Sequence, residues 1–252
     1  MNEGIIKYAF VEGKTERRLL EKLDRKKDFP KSLIIDSRGI DNICNEISNT
    51  LKDGEIIKKP HSILILCDCE KGKTITDIVR KFQNFINSFL KSANIPEQTL
   101  QKDETFENIF FMEVTGIKFR LVLHIANPPD IYNMKFINKT IDGYILSIGL
   151  RDIVLERFAK EIGVSKDKLQ EKILNKIPEI ARNNGIIFDQ AKDIIGIYMA
   201  MSRFITKKRN EEEDTFAGIV IERSRQYDKQ SFKETMASIL KTLDFLEVKY
   251  EI

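Results

Sequence analysis

Ser62-Ile63-Leu64-Ile65-Leu66-Cys67-Asp68-Cys69-Glu70 is an apolar run that ends in two carboxylates on alternate residues. A short continuous apolar run is the pattern of a strand buried on both faces, as in a parallel sheet covered by helices. Upstream, Ile5-Ile6-Lys7-Tyr8-Ala9-Phe10-Val11-Glu12-Gly13-Lys14-Thr15-Glu16 repeats the design, an apolar run that delivers acidic residues to its end. Open α/β sheets keep their sites at the C-terminal edge of the strands. Carboxylates converging there would repel one another unless a cation sat among them, so the first expectation is a divalent-metal site.

Working outward, strand and helix signals alternate over the first 130 residues, which predicts an α/β fold with a mainly parallel sheet flanked by crossover helices. Ile5–Val11 reads as a strand, Thr15–Arg25 as a helix burying Leu19, Leu20 and Leu23, and Ser32–Asp36 as a second strand. A helix over Ile40–Leu51 presents Ile43, Ile47 and Leu51 on one face. Thr74 and Asp77 match a capping box that opens a long helix to about Ala93, with Ile78, Phe82, Phe85, Phe89 and Leu90 inward. Phe106–Met112 and Ile117–Ile125 read as a pair of strands, and Asn127-Pro128-Pro129 ends the pattern.

Residues 131–252 read as a mostly helical C-terminal extension packed on the first domain, residues 1–130. Its helices are expected over Arg151–Ile162, over Lys166–Ile177 behind a Ser165 cap, over Phe188–Phe204 after a stop at Gly185, and from a Ser231/Glu234 capping box to about Leu243. The run Lys207–Asp214 reads as a solvated loop.

The chain has 252 residues, 42 Lys and Arg against 39 Asp and Glu, and a formal net charge of +3. That charge is too small to mark a polyanion binder by itself, so nucleic-acid affinity would have to come from local clusters such as Arg17-Arg18, Lys26-Lys27 and Lys207-Lys208-Arg209. Cys44, Cys67 and Cys69 have no zinc spacing and suggest a reduced, cytoplasmic protein. No apolar run approaches the roughly 18 residues of a membrane span, and none precedes the first strand as a signal segment. His61 and His124, the two histidines, are expected to be structural or superficial.

The spacing carries chemistry. Glu12 lies at the first strand-to-helix turn, where Gly13 is expected to let the backbone turn sharply. Glu16 follows one helical turn later on the same side. Asp68 and Glu70 share one face of an extended segment. Glu12, Glu16, Asp68 and Glu70 thus offer hard oxygen donors of the kind Mg²⁺ or Mn²⁺ prefers. Lys14 and Lys73 lie on the adjoining loops, and Lys118 and Arg120 alternate on a later strand, either as cations for phosphoryl charge or as the solvent face of an edge strand.

The pair Val11-Glu12-Gly13-Lys14-Thr15-Glu16 and Asp68-Cys69-Glu70-Lys71-Gly72, about fifty residues apart, resembles the TOPRIM domain of topoisomerases, bacterial primases, ribosomal-RNA maturation nucleases and OLD-family nucleases. Thr15-Glu16 and Asp36-Ser37-Arg38-Gly39-Ile40-Asp41-Asn42 look most like the OLD-type and small stand-alone archaeal versions. The resemblance covers residues 4–130. It implies an acid/base or metal-ligand role for Glu12 and Mg²⁺ binding by Asp68 and Glu70. The family usually has Asp where this chain has Glu70, a longer side chain that alters a tightly spaced metal site.

Three functions follow as alternatives. The first is a metal-dependent phosphodiester hydrolase, a nuclease acting on DNA or RNA, with Glu12, Lys14 and Lys118 in the chemistry and Glu12, Glu16, Asp68 and Glu70 around the metal. The second is a non-catalytic TOPRIM-like module that binds metal, nucleotide, nucleic acid or a partner protein. The third is a structural adaptor with an empty acidic edge.

Overall fold

The computed structural model of the chain describes residues 5–24, 27–29, 33–51, 59–131, 134, 136–206 and 213–252. Its contacts divide into two compact units, one of residues up to Asn127 together with Ala237–Glu251, the other of Pro128–Met236.

The first unit is α/β. Strands β1 (Ile6–Val11), β2 (Ile34–Asp36), β3 (His61–Cys67), β4 (Gln101–Lys102), β5 (Ile109–Val114) and β6 (Phe119–Ile125) form one sheet in the order β2-β1-β3-β6-β5-β4. The first four of that order run parallel, and β5 and β4 continue antiparallel at one edge. All seven residues of β3 are buried, as its unbroken apolar run requires for a strand with neighbours on both sides and helices on both faces.

Helices α1 (Lys14–Leu23), α2 (Ile40–Thr50) and α3 (Ile75–Ser92) make the connections. Phe10, Ile63, Ile65, Leu121, Leu123 and Ile125 point to one face, where they join Ile43 and Ile47 of α2 and Ile78, Phe82, Ile86 and Leu90 of α3 in one apolar cluster. The alternate strand residues face the other way. The Thr74/Asp77 capping box is present: Thr74 Oγ1 accepts from Asp77 N at 3.1 Å and Asp77 Oδ2 accepts from Thr74 N at 3.1 Å. The β5–β6 pair begins later than its sequence suggests, after a turn at Asp103–Phe106 in which Asp103 Oδ1 accepts from Thr105 N and Phe106 N at 2.9 Å.

The second unit is helical, with α4 (Ile141–Gly149), α5 (Asp152–Glu161), α6 (Lys166–Glu171), α7 (Ile177–Asn183), α8 (Ala191–Thr206), α9 (Glu213–Tyr227) and α10 (Lys229–Thr235). The Ser165 cap is present, its side chain accepting from Lys168 N at 3.3 Å. A π turn over Lys172–Lys176 carries that helix past the expected end into α7. Gly185, at φ +78°, ends α7's extension as expected. Helix α4 has no counterpart in the sequence reading. It is buried from Gly143 through Gly149, so it lacks the one-sided stripe by which a helix is recognised. Gly149 lies where a Cβ would come within 3.1 Å of Val220, and its carbonyl accepts from the buried Tyr198 hydroxyl at 3.0 Å.

The expected Ser231-capped helix is corrected. Asp228 is the cap, accepting from Ser231 N at 3.3 Å, and the segment divides at Met236 into α10 and a separate α11 (Ala237–Phe245). The domain division changes with it. The boundary follows Asn127, and Ala237–Glu251 belongs to the α/β unit, where Ser238 meets His124 of β6 and the Phe245 ring stands 5.1 Å from Phe111 of β5. A helical pattern shows that a face is buried, not which sheet buries it. Among the described residues no helix is long and apolar enough to cross a membrane. Lys26 and Lys207–Glu212, named as basic clusters or loop, lie outside the described residues.

Candidate functional site at the C-terminal edge of the sheet

The chain enters the sheet at β1, moves outward to β2 and returns past β1 to β3. The connections therefore part between β1 and β3, and a parallel α/β sheet opens its binding crevice at such a switch point. Glu12 leaves β1 there and Asp68 leaves β3.

The two are joined across the strands. Glu12 N donates to Leu66 O at 3.2 Å, and the Glu12 carboxylate accepts from Asp68 N at 2.9 Å through Oε2. Burial raises the pKa of Glu12 above the usual carboxylate value; the Asp68 amide opposes that rise, and the Glu70 carboxylate adds to it. A carboxyl whose pKa is raised in this way keeps its proton more readily than an exposed one.

Asp68 and Glu70 are both half-buried, and the intervening Cys69 is buried in the apolar cluster, so the alternation expected of an extended segment holds. Cys67 is buried in the same cluster, which accounts for both cysteines as core residues. Glu70 then enters a turn. Lys73 N donates to Glu70 O at 3.1 Å, Gly72 takes φ +80°, and Lys73 Nζ lies 2.5 Å from Glu70 Oε2. This pairing raises the pKa of Lys73.

Gly13 is placed differently from expectation. Gly13 has φ −156°, extended backbone open to any residue, so no sharp turn depends on it. Its use is spatial: a Cβ there would come within 3.1 Å of Glu16 Oε2. Gly13 is the N-cap of α1 and Glu16 its third helical residue, buried at 5% exposure. From that position a carboxylate reaches back toward the N-cap and favours the positive end of the helix.

Lys14 is exposed at the start of α1, on the same edge as Glu12. Lys118 is not brought to that edge. It occupies a left-handed position, φ 50°, just before β6, and Phe119 pairs with His61 at the opposite end of β3. The length of β3, roughly 20 Å, separates it from Asp68. Arg120 faces Glu113 at 3.1 Å and Glu247 at 2.7 Å; β6 lies between β3 and β5, so the edge-strand reading is corrected as well, and Arg120 is an ion-paired residue at the start of an interior strand. The histidines are structural as expected. His61 Nδ1 is 2.7 Å from Lys59 O, and fully buried His124 shares its Nε2 with Ser238 Oγ at 3.0 Å and Asn108 Nδ2 at 3.3 Å.

Sequence reasoning left one neighbour of the site without a role, the β2–α2 loop. Ser37 N donates to Val11 O at 2.9 Å and Gly39 N to Glu12 O at 3.2 Å, clamping the loop onto the Glu12 backbone. Gly39, at φ +122°, is required there by conformation. Asp41, in the first turn of α2, pairs with Lys81 of α3. The signal was the turn-rich Asp36-Ser37-Arg38-Gly39, but only the strand order puts β2 beside β1.

Among the described residues no three His, Cys, Asp or Glu side chains are disposed as a metal-binding group. The donor chemistry nonetheless suits a hard divalent cation, because Glu12 and Asp68 offer carboxylates from adjoining strand ends and Glu70 follows on Asp68's side.

No family model matches the sequence, and no curated protein matches it. The fold is similar to that of the hypothetical protein PH0156 from Pyrococcus horikoshii OT3, with a TM-score of 0.51 and 13% identity over 97% of this chain and 98% of that one. At that identity the likeness is one of fold.

Proposed function

We propose that the switch-point edge is the site of a TOPRIM-like, Mg²⁺- or Mn²⁺-dependent phosphodiester hydrolase acting on DNA or RNA. The observation that carries this reading is the half-buried Glu12 carboxylate, held on the Asp68 backbone between two parallel strand ends and shifted toward its neutral form.

Glu12, Asp68 and Glu70 would hold the cation. When bound, such a cation polarises the scissile phosphate and lowers the pKa of a coordinated water. Glu12 is placed to hold or accept a proton at Oε1, since Oε2 is engaged by Asp68 N. Lys14 and Lys73 stand on the same edge to meet phosphoryl charge. Lys118 has no part in this mechanism.

The test is Mn²⁺-dependent cleavage of labelled single- and double-stranded DNA and RNA by wild-type protein, Glu12→Gln and Asp68→Ala purified in parallel. Cleavage that survives unchanged in Asp68→Ala ends the hydrolase reading. One observation favours a second reading, a binding module without turnover: Glu70 is engaged by Lys73 and the carboxylates are not gathered into a metal-binding group. That module would show Mn²⁺ binding lost in Asp68→Ala, with no cleavage by the wild type.

A further inference from the structure

The acidic edge carries its own cations. Lys73 closes on Glu70, and Lys81 closes on Asp41. The two pairs differ in construction. Lys81 and Asp41 belong to different helices, so their contact ties α3 to α2. Lys73 and Glu70 belong to one short turn, made by the Lys73 N to Glu70 O hydrogen bond and the left-handed Gly72, and their pairing ties no two elements together. What it occupies is a carboxylate of the proposed metal shell. Lys73 also bears on its neighbours, because its charge acts on Glu12 and Asp41 as well as on Glu70. Glu70, one methylene longer than the aspartate usual in TOPRIM domains, has the reach to fold back on this turn.

We propose that Lys73 is a built-in counter-ion for the metal site, holding Glu70 until a divalent cation displaces it and so setting the metal affinity of the protein. The proposal rests on the metal-site reading above. Lys73 is a positioning residue in this role: it acts on the metal through Glu70. Both partners are partly exposed, at 38% and 42%, so their attraction is screened and a divalent cation can compete with it. Lys71, on the same turn, is exposed and has no ion pair among the described residues, which makes it a control of equal charge.

The experiment is titration of the full-length protein with Mn²⁺, read by the electron paramagnetic resonance of the free ion, at about 0.1 M salt. Lys73→Met should bind Mn²⁺ roughly three- to tenfold more tightly than the wild type, the effect expected from removing one partly screened charge and its pair. Lys73→Arg, which restores the pair, should return wild-type affinity. Lys71→Met should change affinity less than twofold. In a Glu70→Gln background, the gain from Lys73→Met should shrink to less than about twofold, the remainder left by its charge on Glu12. Metal-free melting temperatures report whether each variant is folded. If the wild type binds Mn²⁺ and Lys73→Met binds no more tightly, or if Lys71→Met gains as much, the counter-ion role is overturned while the metal site stands. If neither the wild type nor Lys73→Met binds Mn²⁺, the metal site and this inference both fall.

Discussion

The two ends of the parallel strands use charge in opposite ways. At the N-terminal end, Arg120 bridges Glu113 and Glu247, and Lys7 reaches both Asp28 at 3.8 Å and the Glu247 carbonyl at 2.8 Å. Opposite charges are matched there, and they tie the C-terminal segment to the sheet. At the C-terminal end, Glu12 is half-buried near the Glu70 and Asp41 carboxylates, and the Asp68 backbone amide donates to it. Charge that is matched between elements supports the fold, whereas carboxylates crowded at a strand end weaken it and need another reason to be there. Perturbed carboxyls of the second kind mark candidate sites.

The largest effect expected from this contrast is on activity. Glu12→Gln keeps an acceptor for Asp68 N but cannot carry the proton, and it should lower Mn²⁺-dependent cleavage by a factor on the order of 10², about 2.7 kcal/mol in the barrier. Lys118→Ala should leave cleavage within about twofold of wild type, since a surface cation distant from the chemistry contributes little. Equal losses in the two variants would erase the distinction between the ends. Because burial raises the Glu12 pKa, its ionisation opposes folding as pH rises above the unfolded value, so the same Glu12→Gln protein should melt no lower than wild type at pH 7.

The next effect sharpens the comparison within one end. His124 pairs in register with Leu66, near the proposed site, yet it points into the covered face and serves the fold. Burial lowers its pKa from 6.5 to about 3. The folded protein therefore refuses a proton that the unfolded chain accepts, and this group's contribution is complete above pH 6.5 and lost progressively down to about 3. Between pH 7 and 5 the loss should be about 2 kcal/mol. Thermal melts of wild type and His124→Gln over that range check it, and equal pH slopes would remove His124 from the account.

Smaller effects belong to helix and surface. Thr74→Ala removes half of the capping box behind α3 and should cost about 1 kcal/mol in urea unfolding. Arg120→Met should cost roughly 0.5–1 kcal/mol, less at high salt, because its partners are exposed. An Arg120→Met loss that is insensitive to salt would show that packing, and not charge, closes the N-terminal end.

Much of the α/β unit was legible because its signals are local. The β3 run, the Thr74/Asp77 box and the α2 stripe each depend on residues within a few positions. The missed α4 is buried nearly all round and so has no readable face. The short β4 has two exposed residues and no apolar signature. Glu12 and Asp68 were legible as strand-end carboxylates, but Lys118 was misplaced because alternation along a strand does not reveal which end of the sheet the strand begins from.

The order of apolar runs and turns along the chain determined by itself that a parallel sheet would bring acidic residues to its strand ends, since a doubly buried strand can change from apolar to charged only where it emerges. Tertiary structure alone decided which of those acids meet. Strand order set Glu12 beside Asp68, the Gly72 turn gave Glu70 to Lys73, and the reversal of β5 into β6 sent Lys118 to the far end. Hydrogen-bond register and chain direction bring together residues far apart in sequence, and no local pattern of residues encodes either one.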